Sequence, residues 1–527
     1  MDFYQFTIKE LIKRRVKNSE ELNRIKREVA KKFKTSPPSN VELLKAYHKL
    51  LKKKRISQNK QLESVLRKRP VRTLSGVAVV SLFTKPYPCP GKCIFCPQEE
   101  GIPKSYLRGE PALERALKLK FDPFLQVKKR IESLEKQGHP TDKIEIRVIG
   151  ASFSFYPNDY KVWFFTNIFA AANQRRKSKK ANLATLKKEQ KINERAKHRI
   201  VGISIETRPD LIDTKEILLM RKLGITMVEL GVQTVYDDIL EKNKRGHGIK
   251  EIIQATKLLK DAGFKVMYQM MPNLLGSDLK KDFLAFKEVF ENQSYKPDWL
   301  KIYPCVVCKN TELYQIWKKG KYQPYSDKEL INLLIKIKQI VPYWIRIARL
   351  FRDIPASQIE AGCKISNLRE VVQKEMKERN LKCRCIRCRE VREKYNPREK
   401  IYLFCQEYEA SEGKEIFLSF ENKRRTKLYA FLRLRIPASP FISVLKNSAI
   451  IREIHTYGQM VPLGKKSLAP QHRGLGKRLI KEAQRITKKF KLKKIAVISG
   501  VGVREYYRKL GYRLREEYMI KRLDKKD

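Results

Sequence analysis

The spacing of apolar residues changes along the chain, and the first change marks an N-terminal segment. In ELIKRRVKNSEELNRIKREVAKKF, residues 10–33, apolar positions recur every three or four residues, and TSPPSN at 35–40 ends the run. Such spacing is typical of amphipathic helices, and proline with serine breaks them. Residues 1–70 carry 21 Lys and Arg against 7 Asp and Glu. We predict a basic helical module over residues 1–71, which either contacts a polyanion or presents a solvated face.

Residues 72–345 show a second pattern, in which short runs rich in β-branched residues alternate with helical stretches. The runs are GVAVVSLF, KIEIRVIG, RIVGISIET, MVELGVQ, KVMYQMMP and WLKIYPCVV. This alternation is typical of a parallel α/β barrel, whose functional groups lie at the C-terminal ends of the strands. Residues 174–199, with 11 basic and 2 acidic residues, interrupt the pattern. They are either a second polyanion contact or a solvated loop.

The pattern changes again near residue 400. FLSFEN, KLYAFLRLRI and AIIREIHTYGQMVPLG predict antiparallel strands, and a helix from Gly474 and a strand in KKIAVISG follow. We predict a separate α+β domain over residues 400–527. The linker of residues 346–399 joins it to the barrel and carries the cysteine-bearing sequence LKCRCIRC.

Composition narrows the class of partner. Lys and Arg number 116 against 57 Asp and Glu, a formal net charge of +59. Such a surplus repels itself unless a polyanion neutralises it, so nucleic acid is the expected partner. At 42% hydrophobic residues the chain is too apolar for a disordered basic tail. No apolar run reaches the roughly 18 residues of a membrane span, and we expect a cytoplasmic protein without membrane contact.

The ten cysteines are not expected to form a disulfide framework, because a reducing compartment keeps thiols free, and clustered cysteines are therefore expected to be metal ligands. Cys89, Cys93 and Cys96 form Cys-x-x-x-Cys-x-x-Cys after the first predicted barrel strand. Three thiolates can hold three irons of a four-iron cluster and leave the fourth iron open to a ligand. This motif resembles the radical S-adenosylmethionine superfamily, which uses a 4Fe-4S cluster and S-adenosylmethionine. The alternative is a structural zinc with a distant fourth ligand.

The resemblance implies reduction of S-adenosylmethionine to a 5′-deoxyadenosyl radical, which takes hydrogen from a substrate in a site shielded from water. It also places Ile149–Ser152 at the strand end that meets the methionyl amino group. There Ala151 and Ser152 depart from the family's commoner Gly-Gly-Thr or Gly-Gly-Glu.

A glycine-containing sequence, QHRGLG at 471–476, precedes the amphipathic helix LGKRLIKEAQRI. Glycines let the backbone approach a pyrophosphate at the helix N-terminus, and Arg473, Lys477 and Arg478 add positive charge. With SGVGVREYYRKLGY downstream, the segment resembles the GCN5-related acetyltransferase fold, which binds acetyl-CoA. A glycine-opened helix without a ligand is the alternative.

The combination of these two resemblances occurs in few families. ISIETRPD, VELGVQT, RGHG and KIYP resemble the catalytic subunits of Elongator, in a match from about residue 72 to the C-terminus. The module of residues 1–71 resembles that family's tRNA-binding module. The fold implied is a radical S-adenosylmethionine partial TIM barrel followed by an α+β acetyltransferase domain.

The activity implied is that of an acyltransferase acting on tRNA, which places a carboxymethyl group on carbon-5 of the wobble uridine. In the mechanism usually proposed, the radical takes hydrogen from the acetyl methyl group, the carbon radical adds to the base, and thioester hydrolysis leaves the carboxylate. The partners implied are the tRNA anticodon stem–loop, acetyl-CoA as co-substrate and an electron donor. Accessory subunits and a homodimer stay open.

The resemblance also assigns residues in the acyl site. Lys143 matches a lysine associated with acetyl-CoA, and Tyr507 lies at the acyl-contacting position with Tyr506 beside it. Neighbouring side chains cannot share one direction, so one of the two tyrosines is expected in the core. Cofactor contacts are assigned to Glu453, Ile454, His455 and Thr456 along a strand that pairs with pantetheine, and to Leu475, Gly476, Lys477 and Arg478 at the pyrophosphate. His455 is either structural or a general base.

A further cysteine group lies in the linker. Cys383, Cys385 and Cys388 have the tight spacing of a structural metal site, most plausibly zinc, although basic neighbours would also suit a free reactive cluster. The fourth ligand is open, and the candidates are Cys363, Cys405, the pair Cys305 and Cys308, a histidine or water. The pair itself is expected to be buried packing.

Two other functions compete with the tRNA-modifying enzyme. One is a protein lysine acetyltransferase with a structural iron–sulfur cluster, and the other is a nonenzymatic tRNA-binding scaffold. The charge of +59 suits an RNA backbone and would repel a basic protein tail. The tRNA-modifying enzyme is therefore the favoured hypothesis.

Overall fold

The N-terminal segment forms a small helical bundle. The computed structural model describes residues 2–67, 73, 76–150, 152–352, 354–392, 396, 398–458 and 474–523. The bundle contains α1 (Phe3–Lys13), α2 (Ser19–Lys32), α3 (Asn40–Lys52) and α4 (Lys60–Leu66). Polar caps start these helices, as in the capping box of Ser39 and Glu42, and Ile8, Leu43 and Tyr47 lie in their shared core. The helices agree with the spacing of apolar residues.

A parallel sheet follows, curved into a half-barrel. Its strands pair in sequence order: β1 (Ala78–Phe83), β2 (Lys143–Ile149), β3 (Arg199–Thr207), β4 (Met227–Gln233), β5 (Lys265–Met270), β6 (Trp299–Ile302) and β7 (Arg346–Arg349). This confirms the predicted fold class. The sequence prediction missed β7, which is four residues long and carries two arginines.

The connections of the half-barrel are mostly helical, and several of these helices share its apolar core. They are α5 (Pro111–Lys118), α6 (Pro123–Lys136), α7 (Asn158–Ala172), α8 (Leu183–Asn193), α9 (Thr214–Leu223), α10 (Asp237–Lys242), α11 (Ile249–Asp261), α12 (Leu279–Glu291), α13 (Glu312–Lys318) and α14 (Asp327–Ile340). No helix among the described residues is long and apolar enough to cross a membrane.

The basic segment of residues 174–199 is partly packed. It contains α8, whose Leu186 and Asn193 are buried against the barrel, while most of its lysines are exposed. Asn193 donates from Nδ2 to Asn173 Oδ1 at 2.8 Å, and Trp163 donates from Nε1 to Ser178 O at 3.1 Å. These bonds fix both ends of the segment to the barrel, so it is not a wholly solvated loop.

A second, mixed sheet forms the C-terminal part of the protein. Its strand order is β13 (Arg513–Arg515), β14 (Tyr518–Arg522), β12 (Lys494–Val497), β11 (Ser448–Thr456), β10 (Leu428–Ile436), β9 (Gly413–Glu421) and β8 (Tyr402–Ala410). β11 and β12 pair in parallel, and the other pairs are antiparallel. The helices are α17 (Leu475–Lys489) and α18 (Arg504–Arg508), after the linker helices α15 (Leu368–Glu378) and α16 (Ile386–Arg389).

The second sheet docks against the N-terminal ends of the barrel strands. A Cβ at Gly500 would lie 2.1 Å from Val201 O, and a Cβ at Gly502 would lie 2.6 Å from Arg199 Cβ, so both positions require glycine. Trp344, just before β7, stacks on Tyr408 of β8 with ring centroids 4.1 Å apart. The loop after β12 therefore contacts β3 through Gly500 and Gly502, and an aromatic pair joins the two sheets beside β7.

A buried ionic cluster lies in this interface. Within the described part of the chain it holds four acids and four bases, contributed by α11, the start of β6 and strands β9 to β11: Asp261, Asp298, Glu415, Glu453, Lys260, Arg433, Arg435 and Arg452. Arg435 Nη2 lies 2.6 Å from Asp261 Oδ1. Because both signs are equal in number, the buried charges of this cluster offset one another.

Candidate active site

The cysteine loop directly follows β1 at the C-terminal end of the half-barrel. Cys93 is buried and hydrogen-bonded to Cys96, whereas Cys89 Sγ lies 3.4 Å from Ser152 Oγ. Arg245 donates from Nη1 to Cys93 Sγ at 3.1 Å. The bond with Cys96 and the charges of Arg245 and Arg208 outweigh burial and lower the pKa of the Cys93 thiol to about 5. Cys93 is therefore ready to act as a thiolate ligand.

Arg208 holds the loop from the other side. Its guanidinium binds Asp210 through two nitrogens at 3.0 Å and donates to the backbone oxygen of Arg245 at 2.7 Å. A Cβ at Gly91 would lie 2.1 Å from Arg208 Nη1, so the close approach of loop and arginine depends on this glycine. The arrangement keeps two positive charges next to the three thiols.

Several buried polar atoms have no hydrogen-bond partner among the residues that the structure describes. Thr207 Oγ1, Arg208 Nη1, Gln233 Oε1 and Thr234 Oγ1 lie at the C-terminal ends of β3 and β4. Arg245 Nε follows α10 beside Cys93, and Ser204 Oγ lies within β3, level with the start of β4. Buried polar groups are nearly always satisfied in folded proteins, so a group of orphans requires an explanation. A polar ligand seated on the ends of β3 and β4 would offer partners to the atoms there, and S-adenosylmethionine, with its sulfonium, amino acid and ribose, has donors and acceptors of this kind.

The end of β2 also approaches this region closely. Gly150 has φ +140° and a Cβ there would lie 2.1 Å from Thr84 Oγ1, so no other residue fits without a shift. Ser152 follows in the left-handed region at φ +47°. Ala151, between them, lies outside the described residues. The expectation that Ile149–Ser152 meets the methionyl group is thus compatible with the backbone here.

Charged side chains line the interior of the half-barrel. Along β2, Ile144, Ile146 and Val148 are buried in the core, whereas the alternate residues Lys143, Glu145 and Arg147 point to the interior. Arg147 donates from Nε to Glu145 Oε1 at 2.8 Å. Successive inward positions lie roughly 7 Å apart on a strand, so this row runs along most of the barrel's height.

The centre of the interior is a lysine between two glutamates. Lys301 Nζ bonds Glu229 and lies 3.2 Å from Glu206 Oε1, and Glu206 accepts from Tyr106 OH at 2.5 Å. Burial alone would lower the pKa of Lys301, but Glu229, Tyr303 and Glu206 outweigh it and raise that pKa above its usual range. Gln269 donates from Nε2 to Glu206 Oε1 at 3.3 Å.

The C-terminal end of β11 lies at the opposite, N-terminal mouth of the barrel. Glu453 accepts from Arg433 Nε at 2.9 Å and from Trp299 Nε1 at 3.4 Å. Burial lowers the pKa of His455 to about 4, against the raising effect of Glu453, and its buried Nε2 has no hydrogen-bond partner among the described residues. His455 is therefore neutral at pH 7. Lys143, at the start of β2, lies at this same end of the barrel.

The predicted pyrophosphate loop is described from Gly474 onward. Gln471, His472 and Arg473 lie outside the described residues. Gly474 caps α17 with φ +67°, and a Cβ at Gly476 would lie 3.5 Å from Tyr506 OH and 3.8 Å from Ile454 Cδ1 and Thr456 Oγ1. The start of α17 therefore faces the end of β11. Leu475 is buried, whereas Lys477 and Arg478 are exposed.

The two neighbouring tyrosines of α18 point in different directions. Tyr507 is 4% exposed and belongs to the core of the second sheet, whereas Tyr506 is 39% exposed and directs its hydroxyl toward Gly476. One of them was expected in the core, and that residue is Tyr507. The side chain that faces the predicted acyl-CoA loop is Tyr506.

The linker cysteines converge. The Sγ atoms of Cys383, Cys385 and Cys388 all lie within 4.8 Å of one another, and no fourth His, Cys, Asp or Glu ligand atom among the described residues joins the group. Lys338 donates to Cys388 Sγ at 3.7 Å. The hydrogen bonds from Cys383 and Cys385 lower the pKa of Cys388 well below its usual range. The chemistry of this donor set fits zinc.

The other candidate ligands lie in different surroundings. Cys405 is exposed on β8, and Cys363 is buried. Cys305 and Cys308 are buried, and burial raises their pKa values to about 12 and 11. Thiols with such values stay protonated, as packing residues do.

Sequence reasoning missed several residues of this site, including Arg208, Glu206, Glu229 and Lys301 as side chains of the interior. Each is a charged residue within or directly after an apolar strand of a parallel sheet. Strands of this kind are normally apolar throughout, so an embedded charge was the available signal.

Comparisons with known proteins agree with this geometry. Residues 87–284 match the model of the Radical SAM superfamily, and residues 297–378 match that of the Radical_SAM C-terminal domain. The chain is 48% identical over 503 residues to the tRNA uridine(34) acetyltransferase of Methanocaldococcus jannaschii, covering 92% of this chain and 91% of the relative. It is 37% identical to human Elongator complex protein 3, covering 99% and 98%.

A solved structure is also similar. The archaeal Methanocaldococcus infernus Elp3 with N-terminus deletion (1-46) matches with a TM-score of 0.75 and 45% identity, covering 86% of this chain and all of that chain. Identity at this level over nearly the whole length of several relatives places the chain within their family. The chain belongs to the family of the tRNA uridine(34) acetyltransferases and Elongator complex protein 3.

Proposed function

We propose that this protein is a tRNA-modifying enzyme that places a carboxymethyl group on carbon-5 of the wobble uridine, using acetyl-CoA and S-adenosylmethionine. The observation that supports it best is the pair of sites at opposite ends of one barrel. Three thiols and a group of orphaned polar atoms lie at the C-terminal end, and an acetyltransferase-like strand and helix start lie at the N-terminal end. A charged interior lies between them.

Cys89, Cys93 and Cys96 would hold a 4Fe-4S cluster, and the orphaned atoms of β3 and β4 would hold S-adenosylmethionine. When bound, the reduced cluster would supply the electron that turns S-adenosylmethionine into a hydrogen-abstracting radical. Arg245 and Arg208 offset the negative charge of the thiolates. The burial of Cys93 and of the surrounding strand ends would limit the access of water to the reacting atoms, although Cys89 and Cys96 are partly exposed.

Acetyl-CoA would lie between the end of β11 and the start of α17. The backbone around Gly474 and Gly476 and the exposed Lys477 and Arg478 suit a pyrophosphate, and Tyr506 suits the acyl arm. From this site a thioester on a flexible arm would enter the barrel past Lys143. The interior charges of Glu206, Glu229 and Lys301 would then orient the acetyl group toward the uridine.

The linker trio would hold a structural zinc ion through thiolates, with Lys338 balancing part of their charge. The expected result is about one zinc per chain by elemental analysis, lost in Cys385→Ser. Full zinc content in that variant would contradict this assignment. The tRNA substrate and the cysteine clusters both suit a reducing, cytoplasmic setting.

The deciding experiment is mass spectrometry of tRNA nucleosides after incubation with anaerobically reconstituted protein, acetyl-CoA, S-adenosylmethionine and a one-electron reductant such as dithionite, which reduces the cluster. We expect carboxymethyluridine, and we expect both it and 5′-deoxyadenosine to disappear in Cys93→Ala. Cys405→Ala, which removes an exposed thiol on β8, is the matched control and should retain both products. Formation of 5′-deoxyadenosine by Cys93→Ala, or acetylation of a lysine peptide in place of tRNA, would overturn the proposal.

A further inference from the structure

A basic pocket lies beside the cysteine loop, outside the sites described so far. It is open to solvent, has a volume of about 530 Å3, and is lined among others by Lys85, Lys118, Lys120, Lys177, Tyr160 and Trp163. Its walls come from the end of β1, the corner between α5 and α6, the exposed side of α7 and the start of the basic segment at 174–199. Its size is in the range of small-ligand sites. We call it the Lys85 pocket.

The charge of the Lys85 pocket is strongly positive. Its four lysines are exposed, and Asp122 is its acidic residue, bonded to Lys177. Four positive charges against one negative charge leave a surplus of three. Lys85 Nζ also lies 5.0 Å from the ring centroid of Tyr160, which places an ammonium group above an aromatic face. This combination suits an anionic ligand with a flat, polarisable part.

A column of aromatic rings connects the pocket to the cysteine loop. Trp163 and Tyr160 have ring centroids 5.8 Å apart, Tyr160 and Tyr156 are stacked at 5.0 Å, and Tyr156 and Tyr87 are stacked at 4.7 Å. Tyr87 precedes the first cluster cysteine by two residues. The rings end at Trp163 in the pocket wall, where a further flat group would continue the column.

Hydrogen bonds fix the residues that form the walls of the pocket. The backbone amide of Lys85 donates to Tyr160 OH at 3.2 Å, and Tyr156 OH donates to Thr84 Oγ1 at 2.9 Å. Trp163 donates to Ser178 O, whose own amide donates to Asn167 Oδ1 at 2.9 Å. The aromatic wall and the basic segment are therefore preorganised, which lowers the entropy cost of binding.

The position of the pocket excludes the CoA pyrophosphate as its occupant. The Lys85 pocket lies at the C-terminal end of β1, whereas the glycines of the acyl-CoA loop lie with β11 at the N-terminal mouth of the barrel. The positive surplus of the pocket suits instead a polyanion that approaches the cysteine loop from outside. Lysines alternating with aromatic rings are the arrangement by which proteins hold unpaired nucleotides, through phosphate contacts and base stacking.

We propose that the Lys85 pocket binds an unpaired nucleotide of the RNA substrate that flanks the modified uridine, with its base on Trp163 and its phosphate among the lysines. The inference rests on the proposed function in taking RNA as the substrate. In this proposal Lys177, at the start of the basic segment, contacts the single-stranded part of that RNA. Holding a neighbouring nucleotide here would fix the target base relative to the cysteine loop.

The test measures binding of an anticodon stem–loop RNA by fluorescence anisotropy as a function of salt. Trp163→Leu should weaken binding between about 5-fold and 100-fold, and Trp163→Phe should restore most of it, because stacking needs a ring. Lys118→Glu with Lys120→Glu should lower the slope of log affinity against log salt by roughly 1.4, since each single-strand phosphate contact contributes about 0.7. Lys328→Glu with Lys374→Glu, exposed lysines of α14 and α15, should change the slope less.

Two further measurements make the outcome decisive. With 4-thiouridine in the RNA loop, we expect a photocrosslink to the peptide containing Trp163, and uridine monophosphate added before irradiation should not lower its yield. Unchanged affinity in the Trp163 and lysine variants, equal weakening on a fully paired duplex, or loss of the crosslink when the free nucleotide is added first would each overturn the proposal. RNA-independent cleavage of S-adenosylmethionine by the variants reports that they are folded.

The result can be separated from that of the proposed function. If wild-type protein forms no carboxymethyluridine while the variants lose RNA binding as expected, the Lys85 pocket stands and the proposed reaction fails. If wild-type protein forms the product and the variants bind RNA normally, the proposed reaction stands and the pocket inference fails.

Discussion

Replacing Arg452 with methionine should loosen the interface between the two sheets. Arg452 is fully buried, and its guanidinium holds both oxygens of Asp298, with Nη1 2.8 Å from Oδ2. It also lies 3.0 Å from Glu415 Oε2 and donates to Phe264 O at 2.6 Å. Methionine keeps most of the volume but leaves two buried carboxylates with fewer partners.

The expected cost is about 3–5 kcal/mol, the range for removing one partner of a buried ion pair. It corresponds to at least a hundredfold shift in the docking equilibrium. Arg452 and Arg433 outweigh burial and hold the pKa of Asp298 well below its usual range. A depressed carboxylate pKa stabilises the folded state above the unfolded pKa of about 3.9, and this contribution is lost as pH falls toward the folded value. The loss of stability caused by Arg452→Met should therefore be greatest at pH 7 and become smaller below pH 4.

Urea unfolding followed by tryptophan fluorescence measures this effect, because Trp299 and Trp344, two of the chain's four tryptophans, lie at the interface. Arg379→Met is the control, since Arg379 pairs with Glu375 on the exposed side of α15 and should matter by less than about 0.5 kcal/mol. At pH 7, the free energy of the first unfolding transition should be lower in Arg452→Met than in the wild type. A difference of less than 1 kcal/mol would refute the view that this cluster holds the sheets together.

Three other predictions concern single residues of the interface and the acyl site. Gly502→Ala should cost about 1–3 kcal/mol in thermal unfolding, because its Cβ would lie 2.6 Å from Arg199 Cβ, and an unchanged melting temperature would contradict the close contact. His455→Gln should leave the pH profile of acetyl-CoA hydrolysis between pH 6 and 8 unchanged, because the pKa of His455 is about 4; loss of a step near pH 6.5 would show that this histidine titrates there. Tyr506→Phe should raise the KM for acetyl-CoA more than Tyr507→Phe does, since only the hydroxyl of Tyr506 faces Gly476. The reverse order in steady-state kinetics would assign the acyl contact to Tyr507.

The strand pattern was sufficient for most of the barrel. Runs rich in β-branched and aromatic residues located β1 to β6, and even β6, with four residues, lies in the apolar run WLKIYPCVV. β7 was missed because four residues with arginine at both ends carry too little apolar signal. It forms because β6 and the second sheet offer it partners on two sides. That tertiary support is invisible in the local sequence.

The candidate site, too, could be predicted from the sequence only in part. The cysteine motif identified the C-terminal end of the barrel, because its ligands are close in sequence. The Lys301 group could not be assembled from sequence, because Glu206, Glu229 and Lys301 come from three strands separated by whole helices. Likewise the resemblance assigned the acyl contact to Tyr507, whereas the hydroxyl that faces the start of α17 is that of Tyr506, a difference set by tertiary packing.

The placement of the two candidate sites at opposite ends of the barrel has a kinetic consequence. If the thioester arrives past Lys143 while RNA and S-adenosylmethionine arrive beside Cys89, neither delivery obstructs the other. Loading can then occur in any order, and each reactant can leave without waiting for the other. Binding would then be random in order, without transfer of one reactant from site to site. Turnover would depend on the lifetime of the complex in which all the reactants are bound.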